Sequence, residues 1–239
     1  MNNFKRPGLR ATGYTRSWWL LTVLLIGLVV LSLSFSGLIN KKMASLYQSA
    51  ADTNKKSADD QIYSLDKQYN IEGQDNTWNI FGTAKPKITI VEFGDFTCHF
   101  CHEDFPIVRA MMVKYPDIVK FIWRDRVPTQ RSLVLAMTAQ CAGAQGKFWP
   151  MHDKLFLNQS DTLGTNAAEI IGLAEQLNLD LDTFRLCLKN QAYLSKITKS
   201  MKTSLDLGVN GTPTFFINGQ KYEGVLSADN FEAIINELR

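Results

Sequence analysis

Cys98 and Cys101 stand two residues apart, with His99 between them and His102 directly after. This is the densest group of reactive side chains in a chain with four cysteines and three histidines in all. Two thiols at this spacing can close a disulfide across one helical turn and open it again. The same residues also satisfy Cys-x-x-Cys-His, the attachment pattern of c-type haem. That reading needs an axial ligand and an apolar enclosure, and no particular Met or His marks either. A structural zinc site is the other rival. Four ligands crowded into positions 98–102 suit a tetrahedron poorly, and no second close cysteine pair completes a set. Thiol–disulfide exchange is the chemistry that the pair serves best. The thiolate is its reactive form, so whatever lowers the thiol pKa favours both attack and departure.

The neighbouring residues position that pair. Lys87-Ile-Thr-Ile-Val-Glu-Phe93 is short, β-branched and aromatic, and predicts a strand. Ile88, Ile90 and Glu92 share one face, and Thr89, Val91 and Phe93 the other. A carboxyl on the first face is expected to be partly buried, with a raised pKa. Helical spacing follows from about Cys101 to Tyr115, with Phe105, Val108, Met111 and Met112 as the apolar side. Pro106 is placed to kink it, and Pro116 stops it. Cys98 therefore falls at a helix N-terminus, where free N–H groups and the dipole stabilise a thiolate. A partly protonated His99 would add to that effect. Ile118–Trp123 predicts a second strand, parallel to the first through a right-handed crossover.

From Ser132 to about Leu207 the pattern is helical, with Thr165-Asn166 as one cap. Strand signals return at Thr214–Ile217. Asn218-Gly219 is a two-residue hairpin turn, and Lys221–Val225 is the returning strand. Ser227 caps a last helix. The order is strand–helix–strand, a helical block, then hairpin and helix. His152, in the stretch Phe148-Trp-Pro-Met-His152, is read as a packing histidine, because no neighbour completes a metal set.

Residues 1–17 carry Lys5, Arg6, Arg10 and Arg16 and no acid. Trp18 to Ile39 then run without a charge, a helix of roughly 33 Å, long enough to cross a bilayer core. We expect a transmembrane anchor at 18–39 with its N-terminus in the cytoplasm. A cleaved signal segment ending near Ser34-Phe-Ser36 is the alternative. Both place the remaining chain outside the cytoplasm. Residues 40–77 are polar and predict a stalk or linker, and the folded domain is expected over 78–239. The net charge of +3 is mild and its cations are scattered, which argues against a nucleic-acid partner.

Three stretches in this order resemble the DsbA-like thiol–disulfide oxidoreductases, in their membrane-anchored or secreted branch. They are Val91-Glu-Phe-Gly-Asp-Phe-Thr-Cys98-His-Phe-Cys101, Gln145-Gly-Lys-Phe-Trp-Pro-Met-His152-Asp-Lys-Leu-Phe156 and Gly208-Val-Asn-Gly-Thr212-Pro213-Thr-Phe-Phe-Ile-Asn-Gly219. The resemblance implies an α/β thioredoxin-like fold with an inserted helical subdomain at about 131–207. It implies Cys98 as nucleophile, Cys101 as resolving thiol, and Glu92 as the buried acid that trades protons with Cys101. Thr212 and Pro213 match the loop that carries a cis-proline opposite the pair and offers backbone to an extended client. Relatives often carry cysteines near Cys141 and Cys187, which implies a structural disulfide between them. No cofactor or metal is implied. The partners implied are reduced secreted or membrane proteins, a membrane protein that reoxidises the pair, and the bilayer itself. One departure stands out. The best-known oxidases of the family place histidine beside the resolving cysteine, where this chain has Phe100. The expected activity is that of an oxidase, with reductase or isomerase as the alternative.

Overall fold

The computed structural model describes residues 79–239, together with Lys41 and Ser45. The basic segment 1–17, the apolar run 18–39 and, apart from those two residues, the polar stretch 40–77 lie outside the described residues. Among the described residues no helix is long and apolar enough to cross a membrane. The chain divides into Met1–Lys56 and Ser57–Arg239, and everything below concerns the second unit.

Its centre is β2 (Ile88–Gly94), a strand that is buried along nearly its whole length. It pairs in parallel with β3 (Val119–Asp125) and antiparallel with β4 (Thr214–Ile217). The edges are β1 (Ile80–Gly82), antiparallel to β3, and β5 (Gln220–Glu223), antiparallel to β4. The sheet order is β1-β3-β2-β4-β5. β1 is an addition to the elements expected from sequence. Three residues are too few to show an alternation, and its ladder with β3 is what holds it.

Helix α1 (His99–Lys114) leaves the C-terminal end of β2 and returns the chain to β3. It runs on through Pro106. The missing proline N–H removes one bond to the His102 carbonyl without ending the helix. α1 and the final helix α7 (Ala228–Leu238) cover one face of the sheet. Ile88, Ile90, Val108, Met112, Phe215 and Phe231 fill that core. The other face packs Val91, Phe93, Ile122 and Phe216 with Val209. The two sets from β2 alternate along the strand, as a pleated strand between two layers requires.

Between β3 and β4 lie α2 (Gln130–Gly143), α3 (Phe148–Leu157), α4 (Ala167–Gln176), α5 (Leu181–Lys189) and α6 (Leu194–Asp206). They form the helical insertion, with a core that includes Met137, Phe148, Phe156, Ile170 and Phe184. A disulfide joins Cys141 of α2 to Cys187 of α5. The fold is thioredoxin-like with a helical insertion. Phe96 and Trp123, stacked with ring centroids 4.8 Å apart, belong to the insertion core although they come from the sheet side. They join the two halves beside the redox helix. His152 packs among them, its ring 4.8 Å from Trp123 and 5.5 Å from Phe96, and burial lowers its pKa.

Candidate active site

Most helices here open on an oxygen. Thr129, Asn166, Asp180 and Ser227 each cap their helix by accepting a backbone N–H. α1 opens on Cys98, in extended geometry and with no side-chain cap bond of that kind. A sulfur thus stands where an oxygen would normally take up the free N–H groups. The turn before it is built by Asp95, whose carboxylate accepts from Thr97 N–H at 2.8 Å and from the Ser132 hydroxyl at 2.9 Å. The Cys98 amide in turn donates to the Asp95 carbonyl at 3.0 Å.

Cys98 and Cys101 are both free thiols. Cys98 is half-buried, and Cys101 is 1% exposed. Their surroundings push them in opposite directions. A hydrogen bond from Cys101 does most to hold Cys98 down, at about 6, against burial. The side chain of Thr212 and backbone N–H groups of Cys101 and Phe100 help. Burial first, then the bond given to Cys98 and the nearby Glu92 charge, drive Cys101 well above the usual thiol range. Thr212 meets Cys98 with two kinds of group. Its carbonyl accepts from the Cys98 thiol at 3.2 Å, which suits the neutral form, whereas its side chain favours the thiolate. The thiolate wins, because the donors outnumber that one acceptor. The Thr212–Pro213 peptide is cis.

Glu92 sits on β2 facing the α1 side and is 3% exposed. Burial chiefly, then the charges of Asp104 and Cys98, raise its pKa well above the usual carboxyl range. Four residues from distant parts of the chain, Glu92, Cys98, Cys101 and Thr212, thus converge. His99 is directed elsewhere. Its side chain is 74% exposed and its Nε2 lies 3.1 Å from Glu103 Oε1, one turn along the helix. Phe100, the other residue between the cysteines, presents an exposed ring beside Cys98. Cys141 and Cys187 form their own bond within the insertion and belong to its core.

Two further side chains belong to the surroundings of the pair. Gln159, just past α3, donates its amide to the carbonyls of Phe96 at 2.9 Å and Cys98 at 3.0 Å. It ties the insertion to the redox turn. Nothing local marks it. Asp104 is buried one turn beyond Cys101 and raised to about 7, chiefly by burial. Here a signal exists: positions 101, 104, 108 and 111 follow the helical period, so Asp104 lies on the inward stripe.

A family model described as thioredoxin matches residues 74–237. Among curated proteins, the chain is 34% identical over 160 residues to the Na(+)/H(+) antiporter NhaA 1 of Salinispora arenicola, covering 66% of this chain and 24% of that protein. It is 26% identical over 161 residues to the antiporter NhaA of Herminiimonas arsenicoxydans, covering 67% and 25%. The match therefore spans about a quarter of the length of these relatives. Among solved structures, the thiol-disulfide exchange protein α-DsbA2 of Wolbachia pipientis aligns with a TM-score of 0.65 at 21% identity, over 78% of this chain and 98% of that one. Oxidised BdbD of Bacillus subtilis aligns with 0.60 at 22%, over 67% and 91%. The catalytic domain of Proteus mirabilis ScsC aligns with 0.62 at 20%, over 73% and 97%.

Proposed function

The chain belongs to the thioredoxin family, its Cys98–Cys101 pair is that of a thiol–disulfide oxidoreductase, and from this premise we propose that it works as an oxidase outside the cytoplasm. One feature of the site favours this direction. Cys98 is held at about 6 by donors around its sulfur, so at neutral pH the reduced form is stabilised as a thiolate. Stabilising the reduced form makes the disulfide form the stronger oxidant.

In the oxidising direction a client thiolate attacks the Cys98 sulfur of the Cys98–Cys101 disulfide. The client–Cys98 bond forms, the old bond breaks, and Cys101 leaves with the electron pair. Its high proton affinity is satisfied by a proton from the Glu92 carboxyl. A second client thiolate then attacks the client sulfur of the mixed disulfide, and Cys98 departs as a stable thiolate. Two electrons have passed from client to pair. The client would lie against Phe100 and the Thr212-Pro213 loop, pairing its extended backbone with Thr212. His99, exposed at the rim and paired with Glu103, would contact the client.

The clients in this reading are reduced secreted or membrane proteins, reached by a domain held at the membrane through residues 18–39. A membrane protein returns the pair to its disulfide form. The similarity to thiol–disulfide exchange proteins in fold and the Cys-x-x-Cys at the helix start support this reading. The test is refolding of a reduced disulfide protein by wild type and Cys98→Ser, with the reduction potential measured on the same material. Disulfide formation by wild type alone is expected. A potential near that of thioredoxin, about −270 mV, would overturn the oxidase direction in favour of reduction.

A further inference from the structure

Asp104 lies one turn past Cys101 on α1 and is 0% exposed. Its Oδ1 accepts the Leu226 N–H at 3.1 Å. Its Oδ2 meets no hydrogen-bond donor. Other buried acids of this chain are treated differently. Asp125 accepts from Trp123 Nε1 at 2.8 Å and from Gln140 Nε2 at 2.7 Å. Asp95 accepts from Thr97 and Ser132. A carboxylate with an unpartnered buried oxygen is costly. Fastening Leu226 would need only a neutral acceptor, so that bond does not account for an acid.

Within the redox centre the charge of Asp104 acts on Glu92 of β2, whose pKa it helps to raise after burial. The titratable groups around this point are Glu92 on β2 and Cys98 and Cys101 on the redox helix. The β5–α7 connection brings the Leu226 amide. α3 meets α1 further along, through Arg109 and Asp153 at 3.2 Å, and α7 meets it near its end, through Lys114 and Glu232.

We propose that Asp104 is a positioning residue for thiol–disulfide exchange: its carboxylate, fixed by the Leu226 amide, keeps Glu92 loaded with the proton that Cys101 takes. The proposal rests on the oxidoreductase reading above. When Cys101 leaves as a thiolate, the Glu92 O–H bond breaks and a Cys101 S–H bond forms. Glu92 is then a carboxylate facing a second carboxylate. Repulsion between them favours return of a proton from water, and Glu92 retains the slight exposure through which it can arrive. Asp104 itself gives no proton to sulfur. It acts on the acid that does.

The experiment uses the full-length reduced protein with ¹³C-labelled carboxyl groups, in wild type, Asp104→Asn and Glu92→Gln. The Glu92 resonance is identified by its loss in Glu92→Gln. Asparagine keeps the acceptor for Leu226 and removes the charge. The midpoint of Glu92 should fall by about one pH unit, tenfold in proton affinity. Glutamine is as neutral as the protonated Glu92 that Asp104 meets when it titrates, so the Asp104 midpoint should stay in place in Glu92→Gln. The alkaline limb of the exchange rate should move down with Glu92 in Asp104→Asn. In the Glu92→Gln background the second substitution should add no further displacement. A role confined to structure would lower stability without moving the Glu92 midpoint, and an unmoved midpoint overturns the proposal. If Asp104→Asn does not fold, wild type alone decides. Its Glu92 signal must show a second inflection where Asp104 titrates, and a single-step curve overturns the proposal. Coupled carboxyls in a protein that fails to exchange thiols at all would sink the redox reading first, and this proposal with it.

Discussion

The side-chain amide of Gln159 holds the carbonyl of Cys98 at 3.0 Å. The partners are 61 residues apart and belong to different halves of the domain. The same amide also holds Phe96, whose ring is stacked on Trp123. The redox turn is therefore clamped from the insertion side by Gln159 and Ser132, and from the sheet side by Thr212. Disulfide exchange needs its sulfur presented at a fixed angle, and this clamp fixes the backbone on which the sulfur sits.

Replacing Gln159 by alanine leaves two carbonyls short of a donor. Each loss of a partly buried hydrogen bond costs about 1 kcal/mol, so thermal or urea unfolding should show a loss of roughly 1–3 kcal/mol. The donors to the Cys98 sulfur are not touched. Its thiolate absorbance should still titrate near wild type, while the rate of exchange with a peptide disulfide falls. An exchange rate equal to wild type would show that the clamp is dispensable for chemistry.

Cys98 should titrate near pH 6 in the reduced protein, read as thiolate absorbance. The largest cause of its lowering is the hydrogen bond from Cys101. Cys101→Ala removes that donor and should move the midpoint up, toward the ordinary thiol range. Thr212→Ala removes a smaller contribution and should move it less, in the same direction. A Cys101→Ala midpoint that stays at wild type would mean that the helix N–H groups alone set the thiolate.

Much of this site can be read before any coordinates. The strand at β2, the helix start at Cys98, the Asn218-Gly219 turn and the Ser227 cap are all local patterns, and each is written within a few residues. Asn218 and Gly219 both take positive φ, which is why that pair of residues is found there. What local pattern cannot carry is long-range partnership. Leu226 lies 122 residues from Asp104, and no periodicity announces which amide a buried acid will meet. In the sequence Asp104 stands beside Glu103, and only its place on the 101, 104, 108 and 111 stripe sets it apart as inward. β1 was invisible for a similar reason, since Ile80–Gly82 becomes a strand only because β3 offers an edge. Phe105 shares the apolar side expected for α1 with Val108, Met111 and Met112, and it packs against the insertion core while they fill the sheet core. A helix wedged between two cores has two apolar sides, and one stripe describes only half of it.

The Cys141–Cys187 bond closes a loop of 46 residues. On the chain-entropy account a loop of that length contributes up to about 4 kcal/mol. The double substitution Cys141→Ala with Cys187→Ala avoids a leftover thiol able to scramble with Cys98. It should lower the unfolding temperature markedly while leaving exchange by the folded protein intact. Loss of exchange at a temperature where circular dichroism shows the fold intact would mean that the insertion is coupled to the redox turn more tightly than the Gln159 and Ser132 contacts require.

Gly94 ends β2 directly beneath the Trp123 ring, and a methyl group there would sit 2.2 Å from the nearest ring carbon. Trp123 cannot yield, because it is fully buried, stacked on Phe96, and donates its indole N–H to Asp125. Gly94→Ala should therefore cost about 1–3 kcal/mol or more, the range for overpacking a tight core. The opposite change, Trp123→Phe, relieves the crowding but leaves Asp125 Oδ1 without its donor. Combining the two should recover part of the stability lost by Gly94→Ala alone, measured as a double-mutant cycle in urea. Strict additivity would show that the strand end moves away from Trp123 rather than pressing on it.

Cys98, at the N-cap of the redox helix, and Asp104, in its first half, should contribute to the pH dependence of stability with opposite signs. Cys98 has a folded pKa of about 6 against an unfolded value of 9.0. Being depressed, it adds stability that is present above pH 9 and lost as pH falls through 6. Asp104 is raised to about 7 from 3.8. It supports the fold below pH 3.8, and that support is lost as pH rises through 7. Reduced wild type should therefore lose stability from about pH 4 to 7 and regain some from about 6 to 9. Cys98→Ser should abolish the alkaline gain and Asp104→Asn should reduce the acidic loss, the remainder coming from Glu92, whose pKa is also raised, with unfolding temperature recorded across the range. The oxidised protein, whose Cys98 cannot titrate, should behave like Cys98→Ser on the alkaline side. An alkaline gain that persists in the oxidised form would assign it to a group other than Cys98.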